Sequence, residues 1–219
     1  MTVLVVGGTG RTGRRIVAEL QRRGISQRVL VREEALARQV LPAGVAVQVA
    51  DVTRPETLGS VLAGCDRLIV ATGANPAKDG LFGPLRIDFE GIRSLLTAIQ
   101  TGHHPVQHIV LVSSLCVSRF FHPLNLFGLV LYWKRRGERL LEASGIPYTI
   151  VRPGGLKEGG SGRPVLQNAD TLFEGSIPRD LVARLCVDAL AEPRAQNRIL
   201  EAIADPNLPD DVPFAELLP

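Results

Sequence analysis

The sequence predicts an α/β protein with a doubly wound, mostly parallel sheet, built as one domain over residues 1–219. Short apolar, β-branched runs alternate with segments of helical periodicity along the chain, which is the pattern of βαβ units with parallel strands. Glycines cluster between the first apolar run and the first helical segment, as in a strand, tight loop and helix. We find no repeat, low-complexity tract or linker-like segment, so a single domain is expected.

The glycine cluster follows a predicted first strand at residues 3–6. Gly8, Gly10 and Gly13 satisfy G-x-G-x-x-G, and Gly7 with Gly10 and Gly13 satisfies G-x-x-G-x-x-G. In such a loop the first glycine permits the turn, and the second lets a pyrophosphate approach the backbone. The third lets the helix pack close to the strand. The spacing therefore predicts a dinucleotide site.

Arginines at the start of the next helix strengthen this prediction. Arg11, Arg14 and Arg15 lie where the positive end of the helix dipole disfavours cations, and a bound anion would remove that objection. The helix continues over residues 16–23 and is expected to end at Gly24.

The second predicted strand, residues 28–32, bears on the choice of cofactor. An acidic residue at its end would hold the ribose 2′-hydroxyl of NAD, whereas Arg32 suits the 2′-phosphate of NADP. Glu33 and Glu34 follow directly, so NAD stays the less favoured alternative.

The remaining elements continue the alternation. Further strands are predicted at residues 45–50, 66–72, 107–114, 148–151 and 198–204, and helices at 85–100, 126–143 and 179–190. Thr53 and Glu56 have capping-box spacing, which predicts the start of another helix. Residues 154–164 are too glycine-rich for a regular element. They belong to a small substrate-side region at about 153–178, and form either a surface loop or a mobile flap over the substrate side.

Composition limits the partners and the compartment. The net charge is +3 and basic residues are scattered, so nucleic-acid binding is not expected. No segment reaches the ~20 apolar residues of a transmembrane helix. Met1 leads directly into the first strand, which leaves no room for a targeting peptide and predicts a cytoplasmic protein.

The cysteines and histidines suggest no metal site. Cys65, Cys116 and Cys186 are widely separated and odd in number, so we expect reduced, buried thiols. Histidines occur at His103, His104, His108 and His122 without ligand spacing.

Lysine is rare in this arginine-rich chain. Only Lys78, Lys134 and Lys157 occur, so each is a candidate for a role that arginine cannot take.

Together these motifs resemble an atypical short-chain dehydrogenase/reductase of the NmrA-like kind, a family with the Rossmann NAD(P)-binding fold. The resemblance covers nearly the whole chain. The run from Trp133 to Leu156 is also similar to small plant and cyanobacterial NADP-binding members. The resemblance to the family rests on Gly7-Gly8-Thr9-Gly10-Arg11-Thr12-Gly13, Leu30-Val31-Arg32, Asp51-Val52, Ile87-Asp88-Phe89-Glu90-Gly91, Val112-Ser113-Ser114, Lys134-x-x-x-Glu138, Arg152-Pro153-Gly154-Gly155 and the run from Ile177 to Ala183.

The resemblance implies a role for each part of the cofactor site. The pyrophosphate would lie on Gly7, Gly10, Arg11, Thr12 and Gly13, and the 2′-phosphate would bind Arg32. The adenine would lie between Asp51 and Val52, and the adenosine ribose near Thr72 and Gly73. The nicotinamide ribose would bind Lys134, and the nicotinamide ring would lie along Pro153 and Gly154.

The chain departs from the family pattern at the proton donor. Catalytic members carry Tyr-x-x-x-Lys, and if Lys134 is that lysine, the tyrosine position is Val130. Tyr132 lies two residues further and would point to roughly the opposite side of the helix. Ser113 and Ser114 lie near the family's catalytic hydroxyl, although that position can also align with Leu115.

An apolar segment begins at Leu124 and ends at Trp133. It is too short to span a bilayer. We interpret it as core or as an interface with a protein partner or second copy, with membrane-surface docking as the alternative because basic residues follow.

Two functions fit this sequence. One is an NADPH-dependent reductase that acts on a small molecule, for which a conjugated acceptor such as a flavin or quinone is favoured because its reduction needs less help from a protein acid. The other is a non-catalytic NADP(H) redox sensor, assembly factor or scaffold, which the missing tyrosine also allows. In the resemblance, Ser113, Ser114 and Lys134 are the candidate catalytic residues.

Overall fold

The fold is a central sheet covered by helices on both faces. The computed structural model describes the backbone of residues 1–219 and all side chains except those of Pro76 and Ala77. The strands are β1 (Thr2–Val6), β2 (Ser26–Val31), β3 (Ala46–Val49), β4 (Arg67–Val70), β5 (His108–Val112), β6 (Tyr148–Pro153), β7 (Gly155–Lys157), β8 (Arg163–Asn168), β9 (Ser176–Pro178) and β10 (Arg198–Asp205). The helices are α1 (Gly13–Arg22), α2 (Glu34–Val40), α3 (Leu58–Leu62), α4 (Pro76–Asp79), α5 (Gly91–Thr101), α6 (Val130–Glu142), α7 (Arg179–Ala191) and α8 (Phe214–Leu217).

The sheet confirms the predicted fold class. Eight strands lie in the order β3-β2-β1-β4-β5-β6-β10-β8, and every neighbouring pair is parallel except β10 with β8. A second, two-stranded parallel sheet joins β7 to β9. The strand order reverses between β1 and β4, and ligands of open α/β sheets bind in the crevice at such a point.

The core lies in two layers, one on each face of the sheet. Val3 and Val5 of β1 pack on one face with α1 and α7, while Leu4 and Val6 pack on the other with α3 and α5. Because successive side chains of a strand point to opposite faces, a strand buried on both sides is apolar throughout. The three cysteine thiols are free and buried, as predicted.

Two predicted helices begin later than expected. Residues 85–90 form a π-helical turn that leads into α5. Helix α6 begins at Val130 instead of residue 126, because Leu129 is left-handed with φ 57°. Asn125 Oδ1 accepts hydrogen bonds from the amides of Leu131 and Tyr132, at 2.9 and 3.2 Å, so the buried Asn125 satisfies donors of the first turn.

The capping box predicted at Thr53 is wrong. The amide and hydroxyl of Thr53 both donate to Asp51 Oδ1, each at 2.9 Å, which closes a local turn. A 3-10 turn over Pro55–Thr57 then precedes α3, which has no side-chain cap at its start.

The glycine-rich stretch at 154–164 is more regular than predicted. It contains all of β7 and the first residues of β8, and β7 pairs with β9 about twenty residues further along the chain. The partner strand is distant in sequence, so local composition gives no sign of this pairing.

The apolar segment from Leu124 to Trp133 is not core for most of its length. Leu131 is buried, but Leu124, Leu126, Phe127 and Leu129 are exposed. The half of the prediction that assigned this segment to the core is therefore wrong.

A buried histidine should make stability depend on pH. His108 is 1% exposed, and its Nε2 lies 3.0 Å from the hydroxyl of Thr149, which itself donates to the Ala195 carbonyl. His108 Nε2–H is therefore the donor, and the buried Nδ1 has no partner among the described residues. Burial, aided by the charge of Arg67, lowers the pKa of His108 to about 4.

We expect this histidine to remove stability as the pH falls. A folded-state pKa of about 4 lies below the unfolded value near 6.5, so the unfolded state binds the proton first. The contribution of the neutral His108 to the free energy of unfolding is complete above pH ~6.5. It is lost progressively as the pH falls to ~4, which lowers the free energy of unfolding by about 3 kcal/mol. Urea unfolding of wild type and His108→Gln at both pH values measures this loss. An equal pH dependence in the two proteins would contradict it.

Candidate functional site

The phosphate loop confirms why glycines are needed at its two ends. Gly7 has φ +84°, and a Cβ there would lie 2.7 Å from the Ala71 carbonyl oxygen. A Cβ on Gly13 would lie 2.1 Å from the Gly7 carbonyl oxygen, so α1 can pack this closely only without a side chain. At Gly10 the only heavy atom near an added Cβ is the Gly7 carbonyl oxygen, at 3.2 Å, and Gly10 lines an open cleft. The loop is thus a cradle that a side chain at Gly10 would fill.

The cleft beside this loop has a volume of about 340 Å³ and lies at the carboxyl ends of β1, β2, β3 and β4. It brings together seven of the predicted cofactor residues: Gly7, Gly10, Arg32, Asp51, Val52, Thr72 and Gly73. The remaining wall includes residues that the sequence did not identify, among them Lys78, Asp79, Gly83 and Arg86. They lie near α4, an element that the sequence did not predict.

The lining of the cleft carries more positive than negative charge. Arg32, Lys78 and Arg86 line it, and Arg32 forms an ion pair with Asp79 at 3.8 Å. Asp51 also lines the cleft, with its Oδ1 engaged by Thr53. Three cations and two carboxylates leave the lining with a positive balance.

A much smaller cavity, about 10 Å³, adjoins the cleft at Thr72, which lines both. Lys134 Nζ and Asp88 Oδ1 meet here at 2.8 Å, and the Asp88 side chain is only 2% exposed. Ser113 also lines the cavity, and its buried hydroxyl has no hydrogen-bond partner among the described residues. Because buried polar groups are almost always paired, this hydroxyl is available to a water or to a ligand that enters the cavity.

Asp88 lies in the site, but the sequence analysis gave it no role there. It appeared only within the motif Ile87-Asp88-Phe89-Glu90-Gly91. Glu138, the other residue of the Lys134-x-x-x-Glu138 motif, has a different environment. It is fully buried and pairs with Arg135 and Arg152, whereas Lys134 pairs with Asp88.

Other predicted residues lie outside the two cavities. Arg11, Thr12 and Gly13 occupy the loop and the start of α1, beyond the walls of the cleft. Pro153 and Gly154 lie at the end of β6, one strand past β5 and Ser113. Ser114 follows Ser113 and does not line the small cavity.

The arginines of the phosphate loop meet a carboxylate from the glycine-rich segment. Glu158 accepts hydrogen bonds from Arg11 at 3.1 Å, Arg15 at 3.0 Å and Arg179 at 2.7 Å. Arg15 also pairs with Asp180. Arg11 and Arg15 therefore have an anionic partner within the protein, so their position near the start of α1 does not by itself require a bound anion.

The missing tyrosine is evident in the structure. Val130 packs with Leu115, Cys116 and Leu131 in a small apolar cluster. The ring of Tyr132 contacts Phe120 and Trp133 instead, and no tyrosine is among the described residues that line the two cavities.

The described residues contain neither a membrane-spanning helix nor a metal-binding cluster. No helix among them is long and apolar enough to cross a membrane. They also include no group of three or more histidine, cysteine or acidic residues arranged to hold a metal ion.

The sheet order, the glycine cradle at the strand-order reversal and the adjoining cleft define a Rossmann dinucleotide-binding protein. Residues 7–193 match the model of the NAD(P)H-binding family. The chain belongs to this NAD(P)H-binding family, which confirms the resemblance drawn from the motifs.

Comparison with known proteins gives similar results. The chain is 38% identical to an uncharacterised chloroplast protein of Arabidopsis thaliana, over 94% of this chain and 78% of that protein. It is 32% identical to sanguinarine reductase of Eschscholzia californica, over 94% of this chain and 90% of that protein. A solved structure, a putative NAD-dependent epimerase/dehydratase from Bacillus halodurans, superposes with a TM-score of 0.86 at 25% identity, covering 99% of this chain and 98% of the other.

Proposed function

We propose that this protein is an NADP(H)-dependent reductase of a conjugated acceptor, such as a flavin or quinone-like ring. The observation that carries the proposal is the pairing of a glycine cradle with a small polar cavity that holds Lys134, Asp88 and the unpaired hydroxyl of Ser113. A relative that is 32% identical over most of both chains is named as a reductase, which supports the same class.

The lining of the cleft supports the following assignment of the cofactor residues. Gly7 and Gly10 would receive the pyrophosphate on bare backbone, Asp51 and Val52 the adenine, and Thr72 the sugar between the two cavities. Arg11, Thr12 and Gly13 would complete the phosphate loop. Arg32, with Lys78 and Arg86 in the same cleft, favours a 2′-phosphate and hence NADP over NAD.

This preference makes a direct prediction. Arg32→Ala should weaken NADPH binding by roughly 10- to 100-fold, because a charge-assisted hydrogen bond contributes about 1.5–3 kcal/mol, and should leave NADH binding nearly unchanged. Titration calorimetry of both cofactors measures the change. Arg38→Ala, an exposed α2 arginine paired with Glu34, is the matched control. Equal losses for both cofactors would contradict the assignment.

The chemistry expected of the small cavity is modest. NADPH, when bound, supplies a hydride from its nicotinamide ring. Asp88 fixes the Lys134 ammonium at 2.8 Å, where it can donate to ribose hydroxyls or to the acceptor. Ser113 Oγ–H is placed to donate a hydrogen bond or a proton to the reduced acceptor, and water would restore that proton. A conjugated ring spreads the added charge and so needs less from these donors than an isolated carbonyl does.

Single-turnover mixing of the NADPH complex with a flavin and a quinone tests this proposal. Ser113→Ala should slow NADPH oxidation by about 100-fold, the lower end for general acid catalysis, with little change in cofactor affinity. Ser114→Ala tests the neighbouring hydroxyl, and Ser60→Ala, an exposed serine of α3, is the control. Unchanged rates in Ser113→Ala and Ser114→Ala would remove both hydroxyls from the mechanism.

One observation favours a second candidate. Val130 stands in an apolar cluster at the position of the family's tyrosine, so a non-catalytic NADP(H) redox sensor, assembly factor or scaffold would need no further change at this site. Tight NADPH binding without oxidation by flavins, quinones or aldehydes would select this function.

A further inference from the structure

A surface of exposed apolar side chains lies at the edge of the sheet that holds the site. We define the apolar rim as Leu81, Phe82, Phe120, Phe121, Leu126 and Phe127. Phe121 is 98% exposed, Leu126 82%, Phe82 73% and Leu81 70%. Such a patch on a protein surface marks a site of interaction.

The rim is one rigid surface drawn from two segments of the chain. A Cβ on Gly128 would lie 2.3 Å from the Leu81 carbonyl oxygen, so the two backbones touch. The Phe120 ring packs edge-on against Phe121 and Tyr132, with centroids 5.4 and 6.0 Å apart. Asn125 holds the segment from beneath, donating to the Phe120 carbonyl at 2.8 Å. The exposed side chains thus stand on a supported loop.

The rim segment that follows β5 lies in a basic stretch of the chain. Residues 91–137 contain no aspartate or glutamate, but they contain Arg93, Arg119, Lys134, Arg135 and Arg136. Arg93, Arg119 and Arg136 are exposed; Arg93 pairs with Glu90, and no acidic residue pairs with Arg119 or Arg136 among the described ion pairs. Arg119 stacks on the Phe173 ring at 3.8 Å, and Arg136 lies over Phe89 at 5.5 Å.

We propose that the apolar rim docks the protein on the surface of a phospholipid bilayer that carries anionic headgroups. Exposed phenylalanine and leucine would enter the headgroup region, and Arg119 and Arg136 would lie against the lipid phosphates. Tyr132 and Trp133, half-buried beside the rim, are the amphipathic aromatic residues that prefer this boundary.

A lipid surface explains the charge better than a second copy does. In a two-fold dimer the same patch faces itself, so Arg119 and Arg136 would meet equal charges with no carboxylate from residues 91–137 to relieve them. An anionic bilayer supplies both the apolar phase and the counter-charge.

The single tryptophan provides the readout. Trp133 packs between Tyr132 and Phe89, with ring centroids 4.9 and 5.5 Å away, so its fluorescence should shift to shorter wavelength when the rim meets lipid. The full chain is titrated with vesicles of phosphatidylcholine alone and of phosphatidylcholine with phosphatidylglycerol. Vesicle sedimentation gives the partition coefficient independently.

We expect at least about 10-fold stronger partition onto the anionic vesicles, which falls as salt is raised. The double variant Phe121→Ser with Leu126→Ser should lose at least about 10-fold of this binding, and Arg119→Gln with Arg136→Gln should lose the preference for phosphatidylglycerol. Leu36→Ser with Val49→Ser removes two exposed apolar side chains elsewhere and should bind as wild type does.

Two results would overturn the proposal. One is the absence of vesicle binding by folded wild-type protein. The other is self-association in sedimentation velocity that the double rim variant abolishes while neither protein binds vesicles, which would make the rim a dimer interface. Neither measurement uses cofactor or acceptor, so a failure here is distinct from a failure of the proposed reductase.

Discussion

Replacing Arg152 by methionine is expected to lower the free energy of unfolding by about 3–5 kcal/mol, the usual effect of breaking a buried ion pair. Arg152 ends β6 with its side chain fully buried, and it donates to both carboxylate oxygens of Glu138, at 3.0 and 2.8 Å. It also donates to Asp170 at 2.8 Å and Glu201 at 3.3 Å. Burial alone would lower the pKa of Arg152, but the hydrogen bonds and charges of Glu138, with Asp170 and Glu201, raise it.

Removal of the guanidinium leaves carboxylates in the interior with less counter-charge. Glu138 would retain Arg135, and Glu201 would retain three backbone donors from residues 170–172. Because these partners remain, we expect the variant to fold and to be measurably weaker in urea. Arg22→Met, which removes an exposed α1 arginine paired with Glu19, should change stability by less than about 1 kcal/mol.

A second variant tests the cause of the loss. If the loss comes from the buried charge on Glu138, which then has only Arg135 as a partner, adding Glu138→Gln to Arg152→Met should restore part of the stability, since a neutral amide costs less free energy to bury. An Arg152→Met protein within 1 kcal/mol of wild type would mean that this buried cluster contributes little.

The sequence predicted the elements whose cause is local. The strands of the parallel sheet could be read from short apolar runs, because strands buried on both faces are apolar at every position. Helix α7 could be read in the same way, from helical periodicity over 179–190. The glycine loop was the most specific feature, because Gly10 and Gly13 are limited by the Gly7 backbone only a few residues away, whereas the limit on Gly7 comes from Ala71 after β4 and has no local sign.

Elements that depend on distant partners could not be predicted in this way. Strand β7 exists because β9 lies beside it, and α6 starts at Val130 because Asn125 turns back to its first amides. The apolar segment after Leu124 was ambiguous for the same reason. Composition shows that it is apolar, but only the fold shows that nothing in the described chain covers Leu126.

The residues of the site differ in the same way, according to whether their partners are near or distant in the sequence. Residues next to the glycine loop or at strand ends, such as Arg32, Asp51 and Thr72, could be placed from spacing and strand order. Asp88 and Glu158 could not, because their partners lie more than forty positions away: Asp88 pairs with Lys134, and Glu158 pairs with Arg11 and Arg15. A lone acidic residue in a helix or loop carries no local sign of such a partner.

Replacing Gly10 by valine is expected to abolish most cofactor binding while preserving the fold. A Cβ at Gly10 would meet only the Gly7 carbonyl oxygen, at 3.2 Å, so the loop backbone needs to move by only a few tenths of an ångström. The two methyl groups of the valine would lie in the cleft, where a pyrophosphate must contact backbone that carries no side chain. We expect NADPH affinity to fall by at least about 1,000-fold, equivalent to roughly 4 kcal/mol.

Two further variants distinguish a block to cofactor binding from damage to the fold. Gly59→Val adds the same side chain in α3, where no atom lies within 4 Å of the new Cβ, and should bind NADPH as wild type does. Gly13→Ala forces a Cβ to 2.1 Å from the Gly7 carbonyl oxygen, so it should lower the unfolding midpoint as well as the affinity. Calorimetric titration and urea unfolding of all three variants test this contrast. If Gly10→Val binds NADPH within 10-fold of wild type, the pyrophosphate does not lie on Gly10 and the cofactor must enter the cleft in another way.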